Sequence, residues 1–444
     1  MIKNKIMMIN RILKGSLSIL AVWTGLSCSS GVSQQNRKLA NEILTDSSFQ
    51  QVDSMGRSIL SQGLNAGSGY SQVWARDMNT FVETACEIVA PNDIKGAILV
   101  FFALQQSNGE MIDGYVLKGE FDWDDPDRYY SDAAPDHVGF KNTVETDQET
   151  SLIQIVGKYI RKTGDKDILK EQVAGRSVYL RMKDMIDYLL REKYDEDYGL
   201  LTGALTADWG DVQANDTVNV VDITENSIIT IDAYDNAMFV IALDFMAEMS
   251  EGNERVRWQQ LRKQIATNTR KHLWDDTNKK IIPHIYTGNK PDLGDFDEDL
   301  IHYHGGTAIA IEAGLLSKEE IAVVNKQMVE NVRLSGMPSI GLTVYPPYPE
   351  NFFIGGMAKP YVYQNGGDWT WFGGRMIQQL IANGYVKEAY EEVRPMIERV
   401  VKNKGFYEWY GQGGVPSGSG HFKGSAGVLC KAIQMFNEWA EKNK

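Results

Sequence analysis

Apolar residues recur every three or four positions along most of the chain, whereas the strict alternation typical of β-strands is scarce. This helical period predicts an all-α protein, and several of the helical segments contain a short turn. The segments cover residues 77–89, 92–106, 148–162, 168–193, 228–249, 254–273, 306–333, 369–402 and 421–441.

Four short turns place a glycine where the left-handed residue that ends a helix is expected. These turns are KTGD at 162–165, SEGN at 250–253, EAGL at 312–315 and ANGY at 382–385. Their glycines lie 88, 62 and 70 residues apart, which indicates a loose repeat of helical hairpins with long insertions.

Long segments rich in Gly, Asp and aromatic residues separate the predicted hairpins. Loops of such length in a compact domain are usually functional. A ring of helical hairpins with elaborate loops at one end is an α/α barrel, and no stretch after residue 40 has the composition of a disordered linker. We therefore expect one barrel domain over 41–444. The loops cover residues 63–76, 107–146, 200–227, 280–305, 335–368 and 405–420.

The N-terminus has the pattern of a bacterial lipoprotein signal peptide. A basic region precedes the apolar stretch GSLSILAVWTGL at 15–26, which is shorter than the roughly 20 residues of a membrane-spanning helix. Cys28 lies just after this stretch and would become the lipidated N-terminus after cleavage, with plain secretion as the alternative. We expect a signal peptide over 1–28, a polar tether over 29–40, and an exported protein held to a bacterial membrane only by its lipid.

Composition narrows the class of partner. The chain carries 45 Lys and Arg against 59 Asp and Glu, a net charge of −14, which argues against nucleic-acid binding. It also has ten Trp and twenty Tyr, many of them beside Gly and Asp in the predicted loops. Aromatic faces suit the apolar faces of sugar rings, so we expect an oligosaccharide partner; an aromatic-rich core is the alternative.

No metal or cofactor is expected. His302 and His304 are the only close histidine pair, and they lack further ligands at zinc spacing. The acidic run DWDDPD at 122–127 could bind calcium, but its spacing does not match an EF-hand, which favours a solvated loop. Cys86 and Cys430 lie in apolar helical segments and are expected to be buried thiols. The chain has no GxSxG, phosphate-loop or dinucleotide motif.

Carboxylates among aromatic residues remain the chemistry that the sequence offers, as glycoside hydrolysis requires. In ADWGDVQ, Asp208 and Asp211 flank Trp209. An acid packed against an indole has a raised proton affinity, as a general acid needs, whereas a simple turn at Gly210 is the structural alternative.

Two further stretches combine an acid with aromatic residues. In GFYEWYGQGG, Glu408 lies between aromatic side chains and precedes a run of glycines, so it is either a catalytic carboxylate or an acid that ends a helix. In VWARDM, Arg76 and Asp77 follow Trp74. This pair could hold sugar hydroxyls by charge-assisted hydrogen bonds or could cap the helix that starts there.

From about residue 60 onwards, the chain resembles the six-hairpin glycosidases with an (α/α)6 barrel, a clan that includes amylo-α-1,6-glucosidases, trehalases, neutral invertases and mannosylglycerate hydrolases. The resemblance lies in the order and spacing of short motifs. They are SQVWARDM, TVETDQETSLIQIVGKYIRKTGD at 143–165, LTADWGDVQ with IDAYDNAMFVIAL at 231–243, YQNGGDWTW, and FYEWYG with FKGSAGVL at 422–429.

This resemblance implies a mechanism and a set of site residues. Asp211 takes the place of the general acid, with Asp208 as a competing candidate, and Glu408 takes the place of the general base. Inverting hydrolysis of a neutral, α-linked oligosaccharide is expected, with the two carboxyl groups about 6.5–9.5 Å apart. The implied substrate-binding residues are Trp74, Arg76, Asp77, Asp147, Trp209, Asn365, Trp369, Trp371, Tyr407 and Trp409.

Two other functions remain open. A glycan-binding lipoprotein could retain the barrel without catalysis, although both candidate carboxylates are present. An unsaturated uronyl hydrolase, a polysaccharide lyase or a sugar epimerase could use a similar barrel. An enzyme acting on uronates should concentrate Arg, Lys or His in its loops, whereas the loops here are mostly acidic and aromatic.

Overall fold

The computed structural model describes residues 33–120, 128–214 and 220–444. The predicted signal peptide, Cys28 and the acidic run at 122–127 lie outside the described residues. The α-helices of the described chain are α1 (Gln34–Thr45), α2 (Ser47–Leu60), α3 (Ala75–Ala85), α4 (Pro91–Leu104), α5 (Gln148–Thr163), α6 (Val178–Glu192), α7 (Ala233–Glu248), α8 (Gly252–Leu273), α9 (His304–Glu312), α10 (Lys318–Ser335), α11 (Thr370–Ala382), α12 (Val386–Asn403) and α13 (Lys423–Asn443).

The strands are short and lie in the connections between helices. They are β1 (Val73–Trp74), β2 (Gly114–Leu117), β3 (His137–Phe140), β4 (Gln172–Val173), β5 (Arg176–Ser177), β6 (Tyr194–Asp195), β7 (Leu200–Leu201), β8 (Gly203–Ala204), β9 (Ile229–Asp232), β10 (Trp274–Asp275), β11 (Lys280–Ile281), β12 (His284–Tyr286), β13 (His302–Tyr303), β14 (Val344–Tyr345), β15 (Trp409–Gly411) and β16 (Val415–Ser417).

Six helices form a closed ring in which each contacts the next, α3 to α5, α7, α9, α11 and α13, and α13 contacts α3 again. Each ring helix is preceded in the chain by an outer helix, from α2 to α12. Helix α7 is buried on nearly all sides, as a ring helix must be, whereas α12 buries a single apolar face. The fold is therefore the predicted all-α (α/α)6 barrel.

The two kinds of connection differ in length. Turns of three to five residues lead from ring helices to outer helices, except between α5 and α6, where residues 164–177 include the hairpin β4–β5. Gly164, Gly314 and Gly384 have the left-handed φ values of 75°, 70° and 88° that the sequence predicted. Long connections lead from outer helices into ring helices, so they gather at the end of the barrel where the ring helices begin. They cover residues 61–74, 105–147, 193–232, 274–303, 336–369 and 404–422.

Small antiparallel sheets stiffen these long connections. Strand β2 pairs with β1 and β3, with Trp74 opposite Gly114 and Gly114 opposite Phe140. Two helix boundaries were predicted wrongly for this reason. Residues 172–177 form the hairpin β4–β5, so α6 begins at Val178 rather than at 168, and β9 precedes α7. Strands of two to four residues are too short to show an alternating pattern.

The N-terminal segment corrects another expectation. Residues 34–40, assigned to a polar tether, belong to α1, which packs against α13. Ala40 and Ile43 are buried at helical spacing, and Ser33 caps the helix by accepting a hydrogen bond from the Asn36 amide at 3.1 Å.

Neither cysteine in the described chain forms a disulfide. Cys430 is buried, as expected, but Cys86 is only half-buried. Within the described residues, none of the helices combines the length and apolarity that spanning a membrane requires.

Ring helices α5 and α7 pack closely because Gly157 has no side chain. A methyl group there would lie 2.0 Å from Cδ1 of Phe245. We expect Gly157→Ala to lower the free energy of unfolding by about 1–3 kcal/mol through overpacking. Urea unfolding followed by circular dichroism measures this change.

Gly96→Ala is the matched control, since Gly96 is an exposed residue of α4 and a methyl group there meets nothing within 4 Å. It should raise the free energy of unfolding by about 0.5–1 kcal/mol because alanine is the better helix former. Equal effects of the two substitutions would contradict the close α5–α7 packing.

Candidate active site

A cavity of about 290 Å³ lies among the long connections. This volume is at the lower end of the range for small-molecule sites, about 300–1,000 Å³. Five of the six long connections contribute lining residues, and no described residue of 274–303 does. The lining residues are Ala66, Tyr70, Trp74, Arg76, Asp77, Thr80, Asp113, Phe140, Lys141, Asn142, Trp209, Asp211, Val221, Tyr363, Gln364, Trp369, Trp371, Glu408 and Phe422.

An aromatic cluster forms one side of the cavity. Trp209 lies edge-on to both Trp369 and Trp371, with ring centroids 4.8 Å apart in each pair. Tyr363 contacts Trp369 at 5.1 Å. Edge-to-face packing of this kind fixes ring orientation. The cluster therefore offers a rigid apolar surface on which a sugar ring can stack.

Arg76, in the first turn of α3, is held by three carboxylates. Its Nε is 2.6 Å from Oδ2 of Asp147, its Nη1 is 2.7 Å from Oδ1 of Asp211, and its Nη2 is 3.2 Å from Oε2 of Glu145. Burial lowers the pKa of Arg76, but the charges of Asp147 and Glu145 outweigh burial and raise it well above its usual value. The guanidinium therefore remains charged and fixes the positions of these carboxylates.

Asp211 accepts hydrogen bonds at both carboxylate oxygens. Besides the bond from Arg76, its Oδ2 accepts bonds from Gln364 Nε2 at 2.5 Å and from the Tyr363 hydroxyl at 3.0 Å. Burial raises the pKa of Asp211, but Arg76 and Gln364 outweigh burial and lower the pKa below its usual value. The expectation that the adjacent indole would raise the proton affinity of Asp211 is wrong. The guanidinium of Arg76, far away in sequence but in direct contact, has the larger effect on its pKa.

Asp208 is positioned differently. Its backbone has a φ of 59°, and its Oδ1 accepts a hydrogen bond of 2.8 Å from the Gly306 amide, in the first turn of α9. Burial raises the pKa of Asp208 well above its usual value. It does not line the cavity, because the turn at 208–211 sends the two aspartates in different directions.

Glu408 is only 4% exposed and is held at one oxygen. Its Oε2 accepts hydrogen bonds from the Ser419 amide and the Tyr70 hydroxyl, each at 3.0 Å. Burial raises the pKa of Glu408, the Ser419 and Tyr70 hydrogen bonds oppose this, and the charge of Asp211 adds to it, so the pKa is raised. Asp211 and Glu408 are therefore close enough to influence each other electrostatically.

Two features fix the segment that carries Glu408. Asp368 and Tyr410 exchange backbone hydrogen bonds of 2.9 and 2.8 Å, and buried Asp368 is paired with Arg399 at 2.9 Å. Gly418, with a φ of 68°, packs against the Glu408 side chain, where a methyl group would lie 2.4 Å from Oε2. The glycine run after Glu408 therefore gives this carboxylate the room that it occupies.

Asp77 and Asp113 add two more carboxyl groups to the cavity. Burial and the charge of Glu408 raise the pKa of Asp77 well above its usual value. Burial also raises the pKa of Asp113 to about 7, although Arg76 opposes it. A protonated carboxyl group can donate a hydrogen bond to a sugar hydroxyl, and an ionised one can accept a hydrogen bond from it.

The structure brings most of the predicted site residues to one cavity. Those that line it are Trp74, Arg76, Asp77, Trp209, Asp211, Trp369, Trp371 and Glu408. Those that do not are Asp147, Asp208, Asn365, Tyr407 and Trp409.

Two of the residues outside the lining, Asp147 and Asn365, hold neighbouring parts of the structure in place. Asp147 lies behind Arg76, and it also accepts a hydrogen bond of 2.6 Å from the Tyr234 hydroxyl. Asn365 bonds the backbone of Tyr348 and so braces its own loop.

Sequence reasoning missed several polar lining residues, namely Tyr70, Asp113, Lys141, Asn142, Tyr363 and Gln364. Tyr70 and Tyr363 belong to loops rich in glycine and aromatic residues, and this composition could have indicated them as lining residues. Gln364 lies in the same YQNGGDWTW stretch as Tyr363. Asp113, Lys141 and Asn142 adjoin the strands β2 and β3, and the pairing of these strands brings them together.

The described residues contain no cluster of three or more side chains suited to holding a metal ion. His304 is buried and bonds Asn331 at 3.0 Å, which accounts for one member of the histidine pair structurally.

Comparison with protein families identifies the chain's relatives. The family model "Glycosyl hydrolase 94 superfamily, catalytic domain" matches residues 30–394. The chain belongs to this superfamily. It is a glycoside hydrolase, and Glu408 lies beyond the matched range. A comparison with curated proteins found no match.

Solved structures confirm the six-hairpin type of fold for this glycosyl hydrolase 94 member. The GH63 mannosylglycerate hydrolase from Thermus thermophilus, in complex with Tris and D-glycerate, is similar with a TM-score of 0.61 at 11% identity, covering 86% of this chain and 99% of that one. A rhamnosidase from Klebsiella oxytoca with rhamnose bound gives 0.57 at 12% identity, and 88% of this chain covers only 64% of the rhamnosidase.

The contact between Gly418 and Glu408 can be tested by substitution. Gly418→Ala should reduce glycosidase activity by roughly 10-fold or more, because the added methyl group displaces the carboxylate and small misplacements of reacting groups cost up to about 10²-fold. Hydrolysis rates at saturating substrate measure this.

Gly414→Ala is the control, since Gly414 also has a positive φ, 73°, but a methyl group there meets nothing within 4 Å. It carries the same backbone strain without touching Glu408. An equal loss of activity in both variants would show that strain, and not displacement of Glu408, is responsible.

Proposed function

We propose that this enzyme releases a terminal sugar from a neutral, α-linked oligosaccharide by inverting hydrolysis, with Asp211 as general acid and Glu408 as general base. The observation that carries the proposal is that these two carboxylates line one cavity, in which the charge of Asp211 raises the pKa of Glu408. Burial raises the pKa of Glu408, and the two hydrogen-bond donors at its Oε2 oppose this by stabilising the ionised form that a base requires.

The charges around the cavity support a neutral substrate. The two cationic lining residues are already paired. Arg76 is bound by its three carboxylates, and Lys141 Nζ lies 3.0 Å from Glu149 and 3.3 Å from Glu110. Neither is free to meet the carboxylate of a uronate. The same pairing favours water over an anionic nucleophile such as phosphate.

The size of the cavity supports attack at a chain end. A volume of about 290 Å³, closed on one side by the tryptophan cluster, suits a terminal sugar rather than the middle of a long chain. The α-linkage is proposed from the resemblance to amylo-α-1,6-glucosidases. Lipid attachment at Cys28 belongs to the same proposal, and it would expose the cavity to oligosaccharides outside the cytoplasm.

The reverse assignment of roles is the second candidate. The pKa of Glu408 is raised and that of Asp211 is lowered, which is the pattern of an acid at Glu408 and a base at Asp211. The two assignments differ in which variant still cleaves a substrate whose leaving group needs no proton.

The central experiment incubates the protein, Asp211→Asn and Glu408→Gln with α- and β-linked neutral oligosaccharides, with and without inorganic phosphate. Proton NMR reads the first-formed anomer. We expect release of a terminal sugar with inverted configuration and losses of about 10²–10⁴-fold in each variant.

The glycosyl fluoride of the released sugar then separates the roles, since fluoride leaves with little protonation. Activity on the fluoride should persist in Asp211→Asn and be lost in Glu408→Gln. The opposite result would establish the reverse assignment. Binding of glycans without cleavage would show a glycan-binding protein, and retained anomeric configuration would exclude the inverting mechanism.

Tyr70 provides a pH-dependent test of Glu408. The Tyr70 hydrogen bond lowers the pKa of Glu408, so Tyr70→Phe should raise that pKa. A base acts in its ionised form, and therefore the acidic limb of kcat/KM should move to higher pH. The pH–rate profile measures this shift.

Tyr390→Phe is the control, because it removes a tyrosine hydroxyl that bonds Asp46 away from the cavity. It should leave the acidic limb in place. An unchanged limb in Tyr70→Phe would contradict the assignment of that limb to Glu408.

A further inference from the structure

Glu145 lies beside the candidate acid without lining the cavity. It is 3% exposed, and its Oε2 is 3.2 Å from Nη2 of Arg76, the arginine that also binds Asp211. It precedes Asp147, the residue at the N-terminal boundary of α5, by two positions. Apart from its contact with Arg76, this carboxyl group has no part in the proposed reaction.

The two oxygens of Glu145 lack donors. Among the described residues, no group donates a hydrogen bond to either oxygen, because the contact with Arg76 is close but poorly aligned. A buried carboxylate without donors is costly, whereas a protonated carboxyl group can itself donate. Asp211 binds Nη1 of the same guanidinium at 2.7 Å, so it is the acceptor beside Glu145. A hydrogen bond from Glu145 would help to lower the pKa of Asp211.

The charged groups that face Glu145 favour its protonated form. Burial raises the pKa of Glu145 well above its usual value, Arg76 opposes this, and the negative charges of Asp211 and Asp147 add to it. Asp147 is not an equivalent proton carrier, since its oxygens accept bonds from Arg76 and from the Tyr234 hydroxyl. Burial and these neighbouring charges therefore favour a proton on Glu145 rather than on Asp211, whose pKa is lowered below its usual value.

We propose that Glu145 is a positioning residue that stores the proton which Asp211 delivers to the glycosidic oxygen. This inference rests on the proposed acid role of Asp211. The O–H bond of Glu145 breaks as that of Asp211 forms, and the negative charge moves to Glu145, next to Nη2 of Arg76. The O–H bond of Asp211 then breaks as the departing glycosidic oxygen takes the proton.

The remaining proton transfers balance the reaction. Glu408 takes one proton from the attacking water and returns it to solvent after the products leave. Glu145 regains one proton from solvent, so the net reaction consumes only water and the glycosidic bond. Arg76 stays charged throughout, and it compensates whichever carboxylate of the pair is ionised.

The test compares Glu145→Gln with the wild type on two substrates. Glutamine keeps the size of the side chain and an N–H donor for Asp211, but it carries no transferable proton. We expect kcat on the oligosaccharide to fall by about 10- to 100-fold, a part of the 10²–10⁴-fold typical of general acid catalysis, with little change in KM. Activity on the matching glycosyl fluoride should be retained.

The pH profile gives a second readout that a purely structural role would not move. In Glu145→Gln, Asp211 keeps its contact with Arg76 but loses the partner carboxyl group. It should therefore lose its proton at lower pH than the Glu145–Asp211 pair of the wild type, and the alkaline limb of kcat/KM should move to lower pH. Glu145→Asp, which restores a carboxyl group, should recover part of the rate and part of the shift.

Glu392→Gln is the matched control. Glu392 is another largely buried glutamate, with a pKa raised by burial to about 7, but it bonds Asn325 and does not line the cavity. It should leave both substrates and the alkaline limb unchanged.

Asp211→Asn in the same assay separates this inference from the proposed function. If Asp211→Asn loses activity on the fluoride as well as on the oligosaccharide, the acid role of Asp211 is wrong and the storage role falls with it. If Asp211→Asn keeps the fluoride activity while Glu145→Gln keeps full activity on both substrates, only the storage role is overturned. A Glu145→Gln protein that fails to fold, or that loses both substrates equally, also overturns it, since a resting neutral group should accept a neutral amide.

Discussion

The arrangement of the active site depends on one cation. Arg76 begins a ring helix and binds carboxylates from two other long connections, so a single guanidinium sets the relative positions of α3, the start of α5 and the turn that carries Asp211. The ring helices all begin at this end of the barrel, and the positive ends of their dipoles favour negative groups there. A dense set of buried carboxyl groups is tolerated because these two sources of positive potential act together.

The same arrangement explains how far the sequence could predict the site. Helical period and capping glycines were sufficient for the barrel, because they are local properties of each hairpin. The order of the motifs was sufficient for Arg76, Trp209 and Glu408. Local sequence could not predict which of Asp208 and Asp211 lines the cavity. That outcome depends on the positive φ of Asp208 and on its hydrogen bond to the start of α9, 98 residues later.

Protonation states were the least predictable property. An indole next to an aspartate in the chain indicates a raised pKa, but the group that determines the pKa of Asp211 is an arginine 135 residues away. Asp113 and Lys141 were missed for a related reason, because strand pairing over long sequence separations brings them to the cavity. Residues 34–40 of the predicted tether likewise belong to α1, whose buried residues Ala40 and Ile43 face the partner helix α13. Polar composition alone does not reveal such a contact.

The contact between α13 and α3 closes the ring with the last helix of the chain, and Glu408 lies in the connection that leads into that helix. Ring closure therefore joins residues separated by most of the polypeptide. Such a long-range contact forms slowly during folding, because closing a long loop costs conformational entropy. Until the C-terminal helix docks, the apolar faces of α3 and α11 lack their neighbour, and the cavity lacks one of its two proposed catalytic carboxylates. Docking of α13 thus couples assembly of the apolar core to completion of the cavity, and a folding intermediate without this contact exposes apolar surface that favours aggregation.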